Sequence, residues 1–266
     1  MSEHTHGCGC CGSGCSDSHA PETAETPNHQ VKSVIGLMSG KGGVGKSLLA
    51  ALLAAKLSKS GRKTALLDGD ILNPTIPLLF NQKERAVAGT VGLYPPISAG
   101  GVKTMSLGFL MDGEREPIVW PGPIQAKAAG QFWVDVVWDE VDHMLVDLPT
   151  GTGDVPQRLL EDLPLDGIIV VITPQGLSRS AAIRIIRMAE RFEIPVLGLV
   201  ENFSEGSLAD AHPFQGEGDL ETIPVLDYLP WDARLSEAAD QGQVEGLEHA
   251  YLQNTTALIQ EMVPQP

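Results

Sequence analysis

No cysteine occurs in this 266-residue chain after residue 15, so no disulfide can staple a folded core. Basic residues are also scarce: 18 Lys and Arg stand against 34 Asp and Glu, a formal net charge of −16. That balance opposes association with nucleic acid or an anionic membrane, both of which are polyanions. No apolar run approaches the roughly 20 residues that a membrane span requires. The start of the chain lacks the basic-then-apolar pattern of a secretion signal. These absences lead us to expect a cytoplasmic protein with no nucleic-acid partner and no membrane partner.

What is present is the composition of an ordinary globular protein, 42 % hydrophobic and 20 % charged, and long enough for one large α/β domain. Residues 1–30 are rich in Gly, Ser, His, Pro and acids and nearly free of large apolar side chains. Such a segment buries too little surface to offset its ordering entropy, so we expect a flexible, Cys- and His-rich N-terminal extension. Residues 31–266 then form the folded domain. Apolar runs at 34–38, 64–67, 144–146, 168–172, 196–200 and 223–229 have the length of buried strands. Helical stretches lie between them at 47–59 and 179–192, and more helix is expected after Trp231. Strands alternating with helices predict an α/β fold, a mostly parallel sheet with helices on both faces. The segment 82–125 is less regular and is expected to be an insertion near the active face, with a strand pair at 92–94 and 102–108.

The chemistry concentrates after the first strand, in Gly40-Lys41-Gly42-Gly43-Val44-Gly45-Lys46-Ser47. Glycines between a strand and a helix let backbone N–H groups turn inward around phosphates, where the helix N-terminus adds positive potential. In this P-loop pattern Lys46 neutralises the β- and γ-phosphates and the Ser47 hydroxyl ligates Mg²⁺. Asp68 and Asp70 end the second strand at the carboxyl edge, where ligands of α/β sheets bind. An acid there orients a water for attack or holds a metal-bound water; an Asp at a strand end also commonly caps a turn. Asp147 directly follows Met144-Leu145-Val146 and is placed to hold Mg²⁺ through water. The glycine-rich 148–154 that follows is expected to act as a nucleotide-sensitive switch.

The early Lys41 makes this loop resemble the deviant P-loop of the MinD/ParA/nitrogenase-iron-protein class. In that class the early lysine reaches across a dimer interface to the partner's nucleotide. The strings SGKGGVGKS, LLDGDILNPTIP, VDLPTGTGD, TPQ, PVLGLVEN and LPWDARLSEA together resemble the Mrp family of ATP-binding iron–sulfur cluster carriers, also called ApbC-like or Nbp-type. The resemblance extends over roughly 31–244. It implies a homodimeric, Mg²⁺-dependent ATPase that takes clusters from donor proteins and passes them to clients. Lys41 and Asp70 are its expected catalytic residues, Asp70 positioning water. Asn202 would contact the adenine base, helped by backbone near Pro230.

Members of that family carry a C-x-x-C pair shortly after the segment matching Glu201-Asn202. Here 201–213 holds no cysteine; Glu205, Asp210 and His212 are the remaining candidate ligands there, or else solvated loop residues. All four thiols, Cys8, Cys10, Cys11 and Cys15, lie in the tail. Thiolates favour soft metals and iron–sulfur clusters, so the tail is the candidate cluster site, against a bland Cys/His-rich tail that binds adventitious metal. Two functions follow: an ATP-dependent cluster carrier or assembly ATPase, or a MinD/ParA-like regulatory switch that controls a partner without a cluster. Electron delivery of the nitrogenase-iron-protein kind ranks below both, since it needs interface cysteines.

Overall fold

The computed structural model describes residues 30–111, 118–208 and 210–264. The four tail cysteines and nearly all of the expected N-terminal extension lie outside these residues.

The strands of the main sheet are β1 (Val31–Met38), β2 (Thr64–Asp68), β5 (Lys103–Met105), β6 (Val141–Asp147), β7 (Gly167–Ile172), β8 (Val196–Asn202) and β9 (Val225–Leu229). They run in the order β5-β2-β6-β1-β7-β8-β9, every adjacent pair parallel. Alternation of side chains across a strand divides the core in two. Val34 and Met38 of β1, Met144 and Val146 of β6, and Ile168, Val170 and Ile172 of β7 pack on one face. They meet α3 (Gly122–Asp135), α4 (Asp154–Asp162) and α5 (Gly176–Arg191) through residues such as Phe132, Leu159 and Ile185. Ile35, Leu37, Leu145, Ile169 and Val171 face the other way, toward α1 (Lys46–Lys59), α2 (Ile76–Leu79), α6 (Ala233–Asp240) and α7 (Gln253–Met262). Helix α1 buries Leu49, Ala50, Leu52, Leu53, Ala54 and Leu57 against the sheet. A helix apolar on most of its faces is stable only where it is enclosed. The predicted doubly covered α/β sheet is the fold observed.

Two local expectations fail. The segments 92–94 and 102–108 do not pair with each other. Instead β4 (Leu93–Tyr94) pairs antiparallel with β3 (Val87–Ala88), and β5 joins the main sheet beside β2. The reason is burial: Val102 and Met105 are enclosed, which only the large sheet can achieve, whereas β3 lies exposed. Helix α3 also begins inside the stretch expected to be irregular. Its sequence opens Trp120-Pro121-Gly122-Pro123, a turn-like string, but proline is tolerated in a first helical turn because its missing N–H has no intrahelical partner there. Among the described residues, no helix is long and apolar enough to cross a membrane.

One buried side chain makes the sheet pH-sensitive. His143 on β6 is fully enclosed, and among the described residues neither ring nitrogen has a hydrogen-bond partner. Burial, reinforced by the Arg62 cation, lowers its pKa from 6.5 to about 4. A group that accepts a proton more readily when unfolded contributes stability fully above pH 6.5 and loses it as pH falls toward 4. Replacing it by His143→Leu should therefore flatten the wild-type loss between pH 7 and 5 by about 1–2 kcal/mol. Urea midpoints at the two pH values check this, because other acids titrate alike in both proteins. Parallel pH slopes for the two would show that His143 does not titrate on unfolding.

Candidate functional site

The site is assembled at the carboxyl edge, where connections from neighbouring strands leave toward opposite faces of the sheet. From β1 the chain enters 39–45 and turns into α1. Gly43 and Gly45 sit in the left-handed region, at φ +78° and +84°, where a side chain would be strained. Gly40 is small for a different reason: a Cβ there would lie 2.4 Å from the carbonyl carbon of Ala181 on α5. At Gly42 and Gly43 a Cβ would meet nothing within 4 Å, so these two glycines face open space over the loop. Leu49 N donates to Gly45 O at 3.0 Å, closing the first turn of α1.

Register then brings the acids to this loop. In the parallel ladder Leu37 of β1 faces Asp147 of β6, and Asp147 faces Asp68 of β2. Lys46, nearly buried, makes an ion pair with Asp147 Oδ1. The second oxygen of Asp147 is buried without a hydrogen-bond partner among the described residues. Asp68, also buried, accepts from Ser106 Oγ at 3.0 Å, from Ile76 N at 3.2 Å and from Asp70 N at 3.2 Å. Its burial, and then the neighbouring Asp147 carboxylate, raise its pKa to about 7 against the opposing hydrogen bonds and the Lys46 cation. Asp68 thus ties down both ends of the 70–76 loop, and Asp70 is half-buried within it, accepting from Asn73 N at 3.2 Å.

The other predicted residues converge on the same edge. Ser47 is half-buried in the first turn of α1, and Lys41 is exposed at the outer side of the loop. Asn202 at the end of β8 is buried, and its Nδ2 donates to Val44 O at 2.9 Å. The 148–154 segment is joined to the loop by Gly151 N donating to Ser39 O at 3.0 Å, while Ser39 Oγ donates to Lys41 O at 3.0 Å. A cleft of about 260 Å³ opens beside the loop, lined by Lys41, Val44, Thr173, Gln175, Leu177 and Phe203, among others. Sequence reasoning passed over Ser106, which lies in an irregular stretch and carries no motif. It also passed over Phe203 and Trp231, whose only signal is adjacency to Asn202 and Pro230.

Of the alternative ligands expected around 205–212, Asp210 and His212 are engaged within the loop itself. Phe214 N donates to His212 Nδ1 at 3.1 Å, so the ring proton is on Nε2, which donates to Ile223 O at 2.8 Å. Asp210 accepts from Ser207 N at 2.7 Å, and Glu205 is exposed. His212, half-exposed, is therefore a loop staple with both ring nitrogens engaged. No group of three or more His, Cys, Asp or Glu suited to a metal occurs among the described residues.

The family model ParA, described as NUBPL iron-transfer P-loop NTPase, matches residues 30–264. An iron-sulfur cluster carrier protein of Methanococcus maripaludis is 39 % identical over 261 residues, covering 91 % of this chain and 90 % of the relative. Among solved structures, a nucleotide-binding protein from Archaeoglobus fulgidus in complex with ADP, in which Co was found, superposes with a TM-score of 0.71. It is 34 % identical, with 84 % of this chain and 91 % of that chain covered. The septum site-determining protein MinD of Pyrococcus horikoshii, complexed with Mg-ADP, superposes with a TM-score of 0.63 at 20 % identity. The match covers 86 % of this chain and 95 % of that one, a likeness of fold.

The close approach at Gly40 makes a stability prediction. Gly40→Ala should cost about 1–3 kcal/mol, since the new methyl meets rigid helix backbone. Gly42→Ala, which meets nothing, should stay within about 0.5 kcal/mol of wild type. Chemical denaturation of the two variants decides it; equal stabilities would place the Gly40 contact elsewhere.

Proposed function

Because the chain belongs to the NUBPL iron-transfer P-loop NTPase family, we propose that it is an ATP-binding and ATP-hydrolysing iron–sulfur cluster carrier, acting as a nucleotide-dependent homodimer. The observation that carries this is the buried Lys46–Asp147 pair at the base of an open glycine loop. A lysine held there by one carboxylate oxygen is positioned to exchange that partner for the β- and γ-phosphates of ATP. The loop N–H groups and the start of α1 receive the remaining phosphate charge.

The residues present fit Mg²⁺. Asp147 has one buried oxygen lacking a partner among the described residues, and Ser47 offers a hydroxyl in the first turn of α1; both are hard oxygen donors. Mg²⁺, when bound, would offset phosphate charge. Asp70 orients the attacking water, and its backbone is steadied for this by Asp68. Lys41, exposed beside the cleft, reaches the nucleotide of a second copy. The 148–154 segment, joined to the loop through Gly151, reports nucleotide state. The cargo is a cluster on Cys8, Cys10, Cys11 and Cys15, since 201–213 offers no thiolate and its histidine is engaged. Iron–sulfur donors and client proteins are the partners, in the cytoplasm.

A second function is favoured by that same missing pair: a regulatory ATPase that binds a partner without carrying iron.

Lys46→Ala should abolish ATP binding in equilibrium titrations. Asp70→Ala should leave binding near wild type and slow phosphate release by about tenfold or more. Lys41→Ala should lose ATP-driven dimerisation in sedimentation experiments; a variant that still dimerises and turns over excludes the cross-interface role. For cargo, anaerobic reconstitution with iron and sulfide should load the wild type and not a Cys8/Cys10/Cys11/Cys15→Ser variant. Negligible iron in both, with ATPase activity intact, would favour the regulatory alternative.

A further inference from the structure

We infer that Phe203 and Trp231 form an aromatic platform that stacks on the base of the bound nucleotide and favours purines. The inference rests on the nucleotide site proposed above and adds the residues that would select the base. Phe203 directly follows Asn202 at the end of β8, and its backbone lies in the left-handed region at φ +57°. That conformation is uncommon for a bulky residue and persists where the surroundings over-determine it. It carries the ring to the phosphate loop: the tip carbon Cζ lies 3.7 Å from where a Cβ on Gly45 would be. The same ring lines the cleft beside Lys41, Gly42, Gly43 and Val44.

On its outer side Phe203 meets Trp231, the residue after Pro230 beyond β9. The ring centroids are 5.3 Å apart and tilted by 46°. Trp231 nevertheless keeps 66 % of its surface exposed, and Phe203 keeps 37 %. Two aromatic side chains that contact each other, begin at the phosphate loop and remain open to solvent supply a continuous apolar surface leading outward from the loop. A nucleoside held by its phosphates must extend its base away from that loop. Stacking on an aromatic face is tolerant of base identity but grows with the area of the π-system, so the larger purine gains more. Neither ring carries a charge that would attract the phosphates. The platform should therefore act on ligands that carry a base and be silent toward bare pyrophosphate.

The full-length protein should be titrated calorimetrically, with Mg²⁺ present, against ADP, UDP and pyrophosphate. Wild type, Trp231→Ala and Phe203→Leu are compared; Phe203→Leu keeps apolar bulk and removes the ring. Trp231→Ala should weaken ADP about tenfold, weaken UDP less, and leave pyrophosphate unchanged. Phe203→Leu should lower ADP affinity in the same sense. The platform is overturned if both variants bind ADP as wild type does, or if pyrophosphate affinity falls in step with ADP, which would mark a structural role. A wild type that binds neither ADP nor pyrophosphate would instead overturn the nucleotide site itself.

Discussion

The carboxyl edge of this sheet is organised around one buried ion pair, Lys46 with Asp147. Two charges taken out of water cost several kcal/mol each unless geometry and extra hydrogen bonds compensate. Here compensation is incomplete, because one Asp147 oxygen has no partner among the described residues and the neighbouring Asp68 carboxylate opposes it electrostatically. The pair is therefore a poor device for stability and a good one for exchange. A polyphosphate offers Lys46 a stronger anion, and a divalent cation offers Asp147 the charge it would then lack. In the proposed function both exchanges would lower the cost of burial and so tie ligand binding to the order of the edge.

That order spreads through short polar links. Asp68 accepts from Asp70, Ile76 and Ser106, so the loop carrying Asp70 and the edge strand β5 are held by the carboxylate beside the ion pair. Ser39 receives Gly151 and donates to Lys41, so the glycine-rich segment and the exposed lysine share one residue of the phosphate loop. Asn202 holds Val44 from the opposite side. The elements proposed to respond to nucleotide thus converge on one stretch of sheet edge around Lys46 and Asp147.

The segment 203–223 has taken a different course from the family pattern it resembles. Where a cysteine pair would stand, His212 bridges Phe214 and Ile223, Phe214 is buried, and Arg187 of α5 pairs bidentately with Asp219 at 2.8 Å for both bonds. These contacts fasten residues 212–223 to the domain. In the proposed function the cargo is carried by the tail thiols, and nucleotide state acts on access to them instead of on an interface cluster.

Much was legible in the chain itself. The alternation of apolar runs with an alanine- and leucine-rich helix specified a parallel, doubly covered sheet, because strands buried on both faces must be apolar throughout and their crossovers must be helical. The string from Gly40 to Ser47 marked the phosphate loop for an equally local reason: glycine spacing dictates where backbone N–H groups point. Asp68 and Asp147 were flagged by their place at a strand end, and Asn202 only through the family resemblance. The pairing of 102–108 was misread, since which strand a short apolar segment joins depends on the burial available to it. Ser106 gave no signal, and Phe203 and Trp231 gave none beyond adjacency to Asn202 and Pro230, because their partners are distant in sequence. Only the tertiary structure decided that Asp147 meets Lys46 across 101 residues, that Gly40 must stay bare for Ala181, and that two aromatic rings from separate strand ends touch. Those are matters of register and helix placement, set by the packing of the whole sheet, whereas loop conformation and strand burial are written locally.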